Sequence, residues 1–216
     1  MNRYILILTM GREDLINRLL SPLYWESTEG ATTIILNQGG QKVKVSRKAI
    51  VHHSDENLGC AGGRTFLVDR LLPDLQPNDQ LVFLDDDVEV LDRYWLWRLC
   101  APLSREYGIS GVGGRNITPD FLTEATTDRH PDYVSGGWCA IRGDVFLDGI
   151  TWDLRFNPCY YEDIDFCWES RAKGKLITCV SDVGLRHEHT PNEAAAQLVA
   201  VNRQKFIEKW ANVDRN

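Results

Sequence analysis

Three short stretches, RYILILTM (residues 3–10), TTIILN (32–37) and QLVFL (80–84), are apolar at consecutive positions and too short to be buried helices. Successive side chains of a strand point to opposite faces, so a strand lacking polar alternates has no face to give to water. Such strands belong inside a mainly parallel sheet covered by helices on both sides. The intervening stretches have the spacing of those helices. REDLINRLLSPLYW carries Leu15, Leu19 and Leu20 at helical spacing with Pro22 near its end; AGGRTFLVDRLLPDL carries Phe66, Leu67, Arg70 and Leu71 and is closed by Pro73. KVKVS and AIVHH, after the turn signal QGG, read as short alternating strands at an edge. The expected fold class is α/β.

The second half is punctuated by glycine. GISGVGGRNI and DYVSGGWCAIRGDVF read as strands, YYEDIDFCWESRAKGK as a helix from about Glu162, LITCVSD as a strand and GLRHEHT as extended chain. Thr190, Pro191 and Glu193 form a capping box with proline at the first helical position, and Ala195, Val199, Phe206 and Trp210 are the expected buried stripe of the last helix. With no repeat or linker, residues 1–216 are expected to form a single domain on one continuous sheet.

A chain of 216 residues that is 43% hydrophobic can bury a sizeable core. Twenty-four basic against thirty-one acidic residues give a net charge of −7 without a basic stripe, which argues against nucleic acid as a partner. The apolar run before Gly11 and Arg12 is too short for a signal peptide or a membrane span, and no later run approaches span length. A soluble, cytoplasmic protein is expected. Cys60, Cys100, Cys139, Cys159, Cys167 and Cys179 lack CxxC spacing and read as reduced, buried thiols.

LVFLDDDV then ends its apolar run on three carboxylates. On an extended backbone Asp85 and Asp87 share one side and Asp86 takes the other, so the run is a D-x-D pair plus one outlier. Ligands of open α/β sheets bind beyond the C-terminal strand ends, where one or two carboxylates can hold Mg²⁺ or Mn²⁺ together with phosphate oxygens. A solvated Asp-rich turn is the plain alternative. Two further clusters weigh against it. Glu162 and Asp163 open a helix, whose dipole keeps a carboxylate ionised and able to accept a proton, although acidic first turns are also ordinary capping. His187 and His189 share a face if extended, and either imidazole could complete a manganese site.

The order ENLGCAGGR, LVFLDDDV, SGGWCAIRGDVF, ITWDLRF, YYEDIDFCWESRAKGK, GLRH and NRQKFIEKW resembles the family 2 glycosyltransferases of the GT-A fold over nearly the whole chain. The resemblance implies a nucleotide-binding half (1–90) and an acceptor and catalytic half (91–216). It implies transfer of one sugar, with inversion, from a nucleoside-diphosphate donor, with a UDP-sugar expected, to an acceptor hydroxyl, assisted by Mn²⁺ or Mg²⁺. Carried onto this sequence, Asp87 and His187 are metal ligands, Asp85 supports the ribose or sugar, and Asp86 is the variable middle position beside the donor. Asp163 is the general base and Glu162 an orienting carboxylate. Gly136, Gly137 and Trp138, after Ser135, line the donor sugar and acceptor sites. Thr9, Gly11 and Arg12 in one loop, and Asn57, Gly59, Gly62 and Arg64 in another, cradle the nucleoside diphosphate. Where the family often carries an aspartate-rich turn that reads the base, this chain has LNQGG, with Asn37 available to a base edge. TMGRED, the first loop, is also unusual for the family.

Arg203 and Lys205 are further diphosphate partners on the last helix, or solvated charges, and Trp138, Tyr160 and Tyr161 would suit stacking on a sugar, or belong to the core. The acceptor could be a glycan, a lipid-linked saccharide, a protein side chain or a modified nucleobase. The competing readings are a metal-dependent phosphohydrolase using both His187 and His189, and a non-catalytic saccharide- or nucleotide-binding domain, which would have no need of a base.

Overall fold

The computed structural model describes residues 1–45, 48–188 and 193–211. The chain runs β1 (Arg3–Thr9), α1 (Glu13–Leu19), α2 (Pro22–Ser27), β2 (Thr32–Gln38), β3 (Ile50–Ser54), α3 (Gly59–Asp69), β4 (Gln80–Asp85), β5 (Val88–Val90), α4 (Trp95–Cys100) and β6 (Tyr107–Gly111). It continues with β7 (Arg115–Ile117), β8 (Thr123–Ala125), β9 (Trp138–Arg142), α5 (Gly143–Leu147), a 3-10 turn (Leu154–Phe156), α6 (Glu162–Ala172), β10 (Leu176–Cys179), β11 (Leu185–His187) and α7 (Glu193–Trp210).

Seven strands form one sheet in the order β10-β6-β9-β4-β1-β2-β3, parallel except for β9, which is antiparallel to both neighbours. The apolar runs explain the layering. In β1, Leu6 and Leu8 join a core with α3, α5, α6 and α7, while Ile5 and Ile7 join a second core with α1, α2 and α4; in β4, Leu81 and Phe83 divide from Val82 and Leu84 in the same way. The two-residue period of a strand thus feeds both helical layers. At about 25 cal/mol per Å² of apolar surface, each fully buried Ile or Leu contributes roughly 1.5–3 kcal/mol, so these strands anchor the fold.

The first helical stretch is broken where the sequence suggested continuity. Ser21 caps a new helix by accepting from the Tyr24 N–H, and Pro22 opens α2 instead of closing α1. Residues 41–45 form no strand, and the edge is β3, parallel to β2. The GDVF segment read as strand is the helix α5: Gly143 packs so tightly that a Cβ there would lie 2.2 Å from the Gln76 carbonyl oxygen. Ser46, His189, Thr190 and Pro191 lie outside the described residues, as does the Glu193 side chain. Of the expected stripe on α7, Phe206 and Trp210 are buried and Ala195 and Val199 half-buried. No helix among the described residues is long and apolar enough to cross a membrane.

Candidate active site

Parallel pairing brings the C-terminal ends of β1, β2 and β4 to one edge, with Leu8 opposite Asp85 and Thr9 opposite Asn37. Because β9 runs the other way, its N-terminal end arrives at the same edge, and the Asp85 N–H donates to the Gly137 carbonyl at 2.9 Å. A Cβ on Gly137 would stand 2.1 Å from Asp85 Oδ2, so glycine is what lets the carboxylate lie against that backbone.

The D-x-D geometry differs from a simple extended strand. Only Asp85 belongs to β4; Asp86 and Asp87 form a turn into β5. β5 then pairs antiparallel with β11, Val88 opposite His187, and this short ladder sets His187 Nε2 2.9 Å from Asp87. Asp85, Asp87 and His187 offer ligand atoms all within 4.8 Å of one another. Two hard carboxylates and one imidazole suit Mn²⁺ or Mg²⁺ with open positions for water and phosphate oxygens. Burial would raise the Asp87 carboxyl, but the hydrogen bond and charge of His187 outweigh it and lower the pKa; the same hydrogen bond raises that of His187. Asp86 points the other way, fully buried, accepting from Thr9 Oγ1 at 2.6 Å and from Arg12 Nε at 3.0 Å.

Arg64 joins the two carboxylate groups. Buried on α3, it donates to Glu162 Oε1 at 2.8 Å and to Asp85 Oδ1 at 3.3 Å. Burial disfavours its charge, but Asp85, Cys60 and Glu162 outweigh that and raise its pKa. Asp163 accepts from the N–H groups of Gly136 at 3.3 Å and Ile164 at 2.9 Å. Burial and the neighbouring Asp163 push the Glu162 carboxyl up to about 7 against the pull of Arg64, and burial likewise raises Asp163. Glu162 Oε2 is buried without a hydrogen-bond partner among the described residues, whereas Asp163 is half-buried.

These carboxylates are held by contacts that the motifs do not announce. Tyr160 and Tyr161 both adopt left-handed backbone, φ 72° and 70°, immediately before α6. Asn202, buried on α7, donates its side-chain amide to the carbonyls of Phe156, Cys159 and Tyr160 at 2.8–2.9 Å and clamps the loop that carries them. Asn202 opens the NRQKFIEKW stretch, one turn before the buried Phe206, but nothing in that stretch tells which loop it holds.

A cavity of about 350 Å³ collects Arg64, Asp85, Asp87, Gly136, Gly137, Glu162, Asp163 and His187, with Ser135, Tyr160 and Tyr161 also in its wall. Trp138 is not in that wall; its ring packs against the His187 ring at 5.4 Å between centroids. Thr9, Gly11, Arg12, Asn37, Asn57, Gly59, Gly62 and Asp86 lie outside the lining. Asn37 is buried with both ends of its amide engaged, accepting from the Gly11 N–H at 2.9 Å and donating to the Gln41 carbonyl at 2.6 Å, so it shapes the first loop. Asn57, two residues before α3 opens, accepts from the Gly59 N–H at 2.9 Å, and Gly62 donates to Asn157 at 3.4 Å. Arg203 is bound to the Phe121 and Asp120 carbonyls and Lys205 to the Arg155 carbonyl, away from the cavity.

No protein-family model matches the chain, and no curated protein matches it in sequence. Among solved structures, it superposes on GalNAc-T7, a crystal structure with UDP, GalNAc and Mn²⁺, with a TM-score of 0.68 and 14% identity over 99% of this chain and 48% of that one. It also superposes on the mannosyltransferase PcManGT from Pyrobaculum calidifontis, in complex with GDP-Man and Mn²⁺, with a TM-score of 0.69 and 11% identity over 99% of this chain and 65% of that one. The chain therefore spans about half the length of the first and 65% of the second. Its mainly parallel sheet with flanking helices is the GT-A fold of these glycosyltransferases.

Proposed function

We propose that this chain is a metal-assisted, inverting glycosyltransferase that moves one sugar from a nucleoside-diphosphate sugar, a UDP-sugar in our reading, to an acceptor hydroxyl. The observation that carries the reading is a single cavity containing a metal-type triad, Asp85, Asp87 and His187, and a carboxylate pair, Glu162 and Asp163, tied together by buried Arg64. Solved neighbours of the same fold bind Mn²⁺ with UDP or GDP-Man, which supports that use of the triad.

Asp85, Asp87 and His187 would hold Mn²⁺ or Mg²⁺, which supplies the charge that neutralises a departing diphosphate. Arg64 presents a fixed cation between the two sides. Asp163 takes the acceptor proton: it is the more exposed of the pair, its oxygens are oriented by the Gly136 and Ile164 N–H groups, and burial raises its pKa, which makes it a stronger base than an ordinary aspartate. Glu162, bound to Arg64, orients the cation and keeps the pair's shared proton affinity high. One displacement with a base opposite the leaving group gives inversion. The acceptor class, from glycan or lipid-linked saccharide to protein or modified nucleobase, is left to an acceptor screen.

The test is a transfer assay with UDP- and GDP-sugars and Mn²⁺, the product anomer being read by proton NMR. The proposal expects an inverted product and, for Asp163→Asn, a rate lower by about 10²–10⁴ with donor binding retained. A retained anomeric configuration, or an active Asp163→Asn variant, would refute the assigned base.

A further inference from the structure

The cavity wall contains two groups that the transfer chemistry does not use, the thiols of Cys60 and Cys159. They are 99 residues apart in sequence, yet both stand in the wall of the same cavity. Their backbones are also fixed: the Cys60 N–H donates to the Pro158 carbonyl at 2.7 Å, and that carbonyl is bonded directly to the nitrogen of Cys159. Standard bond lengths then hold the two Cα atoms no more than about 6.5 Å apart. That upper bound lies inside the span of roughly 4.4–6.8 Å over which Cα atoms are bridged by disulfides.

The approach is enforced by packing. Gly59 adopts φ 72°, and a Cβ there would stand 2.4 Å from Asn157 Oδ1 and 2.9 Å from the Pro158 carbonyl oxygen, so the start of α3 is pressed against the 157–159 loop. Asn202 holds that loop from behind through the Cys159 carbonyl. Both cysteines are half-buried and open to the cavity, unlike buried Cys100, Cys139 and Cys167. The neighbouring Cys60 thiol lowers the pKa of Cys159, which assigns Cys159 as the attacking thiol and Cys60 as the resolving one.

We propose that Cys60 and Cys159 form a thiol-exchange site in the cavity wall, which closes as an intramolecular disulfide at the expense of a low-molecular-weight disulfide. The Cys159 thiolate attacks one sulfur of that disulfide and expels one small thiolate. Cys60, losing its proton, then attacks the mixed disulfide and expels the second. One small disulfide is reduced to two thiols, and the protein loses two hydrogens. Reductant reverses both steps. The wall that joins α3 to the carboxylate loop is thereby a place where the chain senses thiol poise.

The test equilibrates the full-length, reduced chain in glutathione buffers of increasing oxidised fraction and reads intact mass and non-reduced peptide maps. The expected result is a species lighter by two hydrogens, carrying no glutathione, whose single cross-linked peptide joins Cys60 to Cys159. Cys60→Ser and Cys159→Ser should each replace it with a mixed disulfide of one glutathione, and Cys179→Ser should leave it intact. A cross-link between other cysteines, or a Cys60 and Cys159 that both stay alkylatable while glutathione oxidises Cys179, would overturn the proposal. Neither readout depends on sugar transfer, so the site stands or falls separately from the transferase reading.

Discussion

The two sides of the cavity are built by different means. The metal-type side is assembled by strand register: β4 ends on Asp85, antiparallel β9 delivers Gly137 to it, and the β5–β11 ladder sets His187 against Asp87. The side that carries Glu162 and Asp163 rests on a loop that reaches α6 through two left-handed tyrosines and is secured by Asn202 from the last helix. Sheet register is redundant at β4 and β9, since each is paired along both edges. A loop clamp is not, because it concentrates its hydrogen bonds on one side chain. Perturbations should therefore separate the two sides, except at Arg64, which touches both.

Removing Arg64 should have the largest effect on stability. Arg64→Met leaves Glu162 and Asp85 without their buried cation, and the loss of one partner from a buried ionic group costs roughly 3–5 kcal/mol. Urea unfolding would measure it; a loss well under 1 kcal/mol would mean that the two sides are not coupled through this residue.

Gly137→Ala should strike the metal-type side alone. Its Cβ would displace Asp85, so Mn²⁺ affinity should fall about 10- to 100-fold, read by calorimetric titration, with little change in the unfolding midpoint. Unchanged Mn²⁺ affinity would remove Asp85 from the ligand set.

Asn202→Ala should strike the other side. Orphaning three loop carbonyls costs about 1–3 kcal/mol. More tellingly, it should lower the rate constant for transfer by more than it weakens Mn²⁺-dependent donor binding. Equal losses in both would make Asn202 a general stabiliser instead of a positioning residue.

The gentlest probe is pH. A base with a raised pKa is protonated, and inactive, over a wider range of pH. Burial raises the proton affinity of the Asp163 carboxyl, so turnover should fall as pH drops, and should begin to fall at a higher pH than for an ordinary aspartate. A rate that stays flat down to pH 5 would mean that no such group acts as base.

Much of this division could be read from sequence, and its failures share a cause. The runs ending at Leu8, Leu36 and Leu84 declared a parallel sheet because burial on both faces leaves a local, continuous signature. The D-x-D and E-D pairs stood out for the same reason: neighbouring residues carry them. What escaped depends on distant partners. The β5–β11 ladder is only three residues long on each side, too short for a period to register, and Asn202, Cys60 and Cys159 acquire meaning only when α7, α3 and the 157–159 loop meet. Asn37 was visible as a polar strand end, but only the fold reveals that Gly11 and Gln41 already occupy its amide. The resemblance places Arg64 in the loop around the nucleoside diphosphate, yet its partners are the two carboxylate groups, 21 and 98 residues away in sequence.

The most direct measurement of the central claim is the melting temperature of the wild-type chain and of Asp87→Asn with a UDP-sugar, with Mn²⁺, and with both. A ligand that binds only the folded state at a hundred times its Kd adds about 2.7 kcal/mol of stability. The account predicts a large rise in the wild type only when metal and nucleotide sugar are present together, and its loss in Asp87→Asn. A rise of the same size without Mn²⁺, or one that survives in the variant, would contradict it.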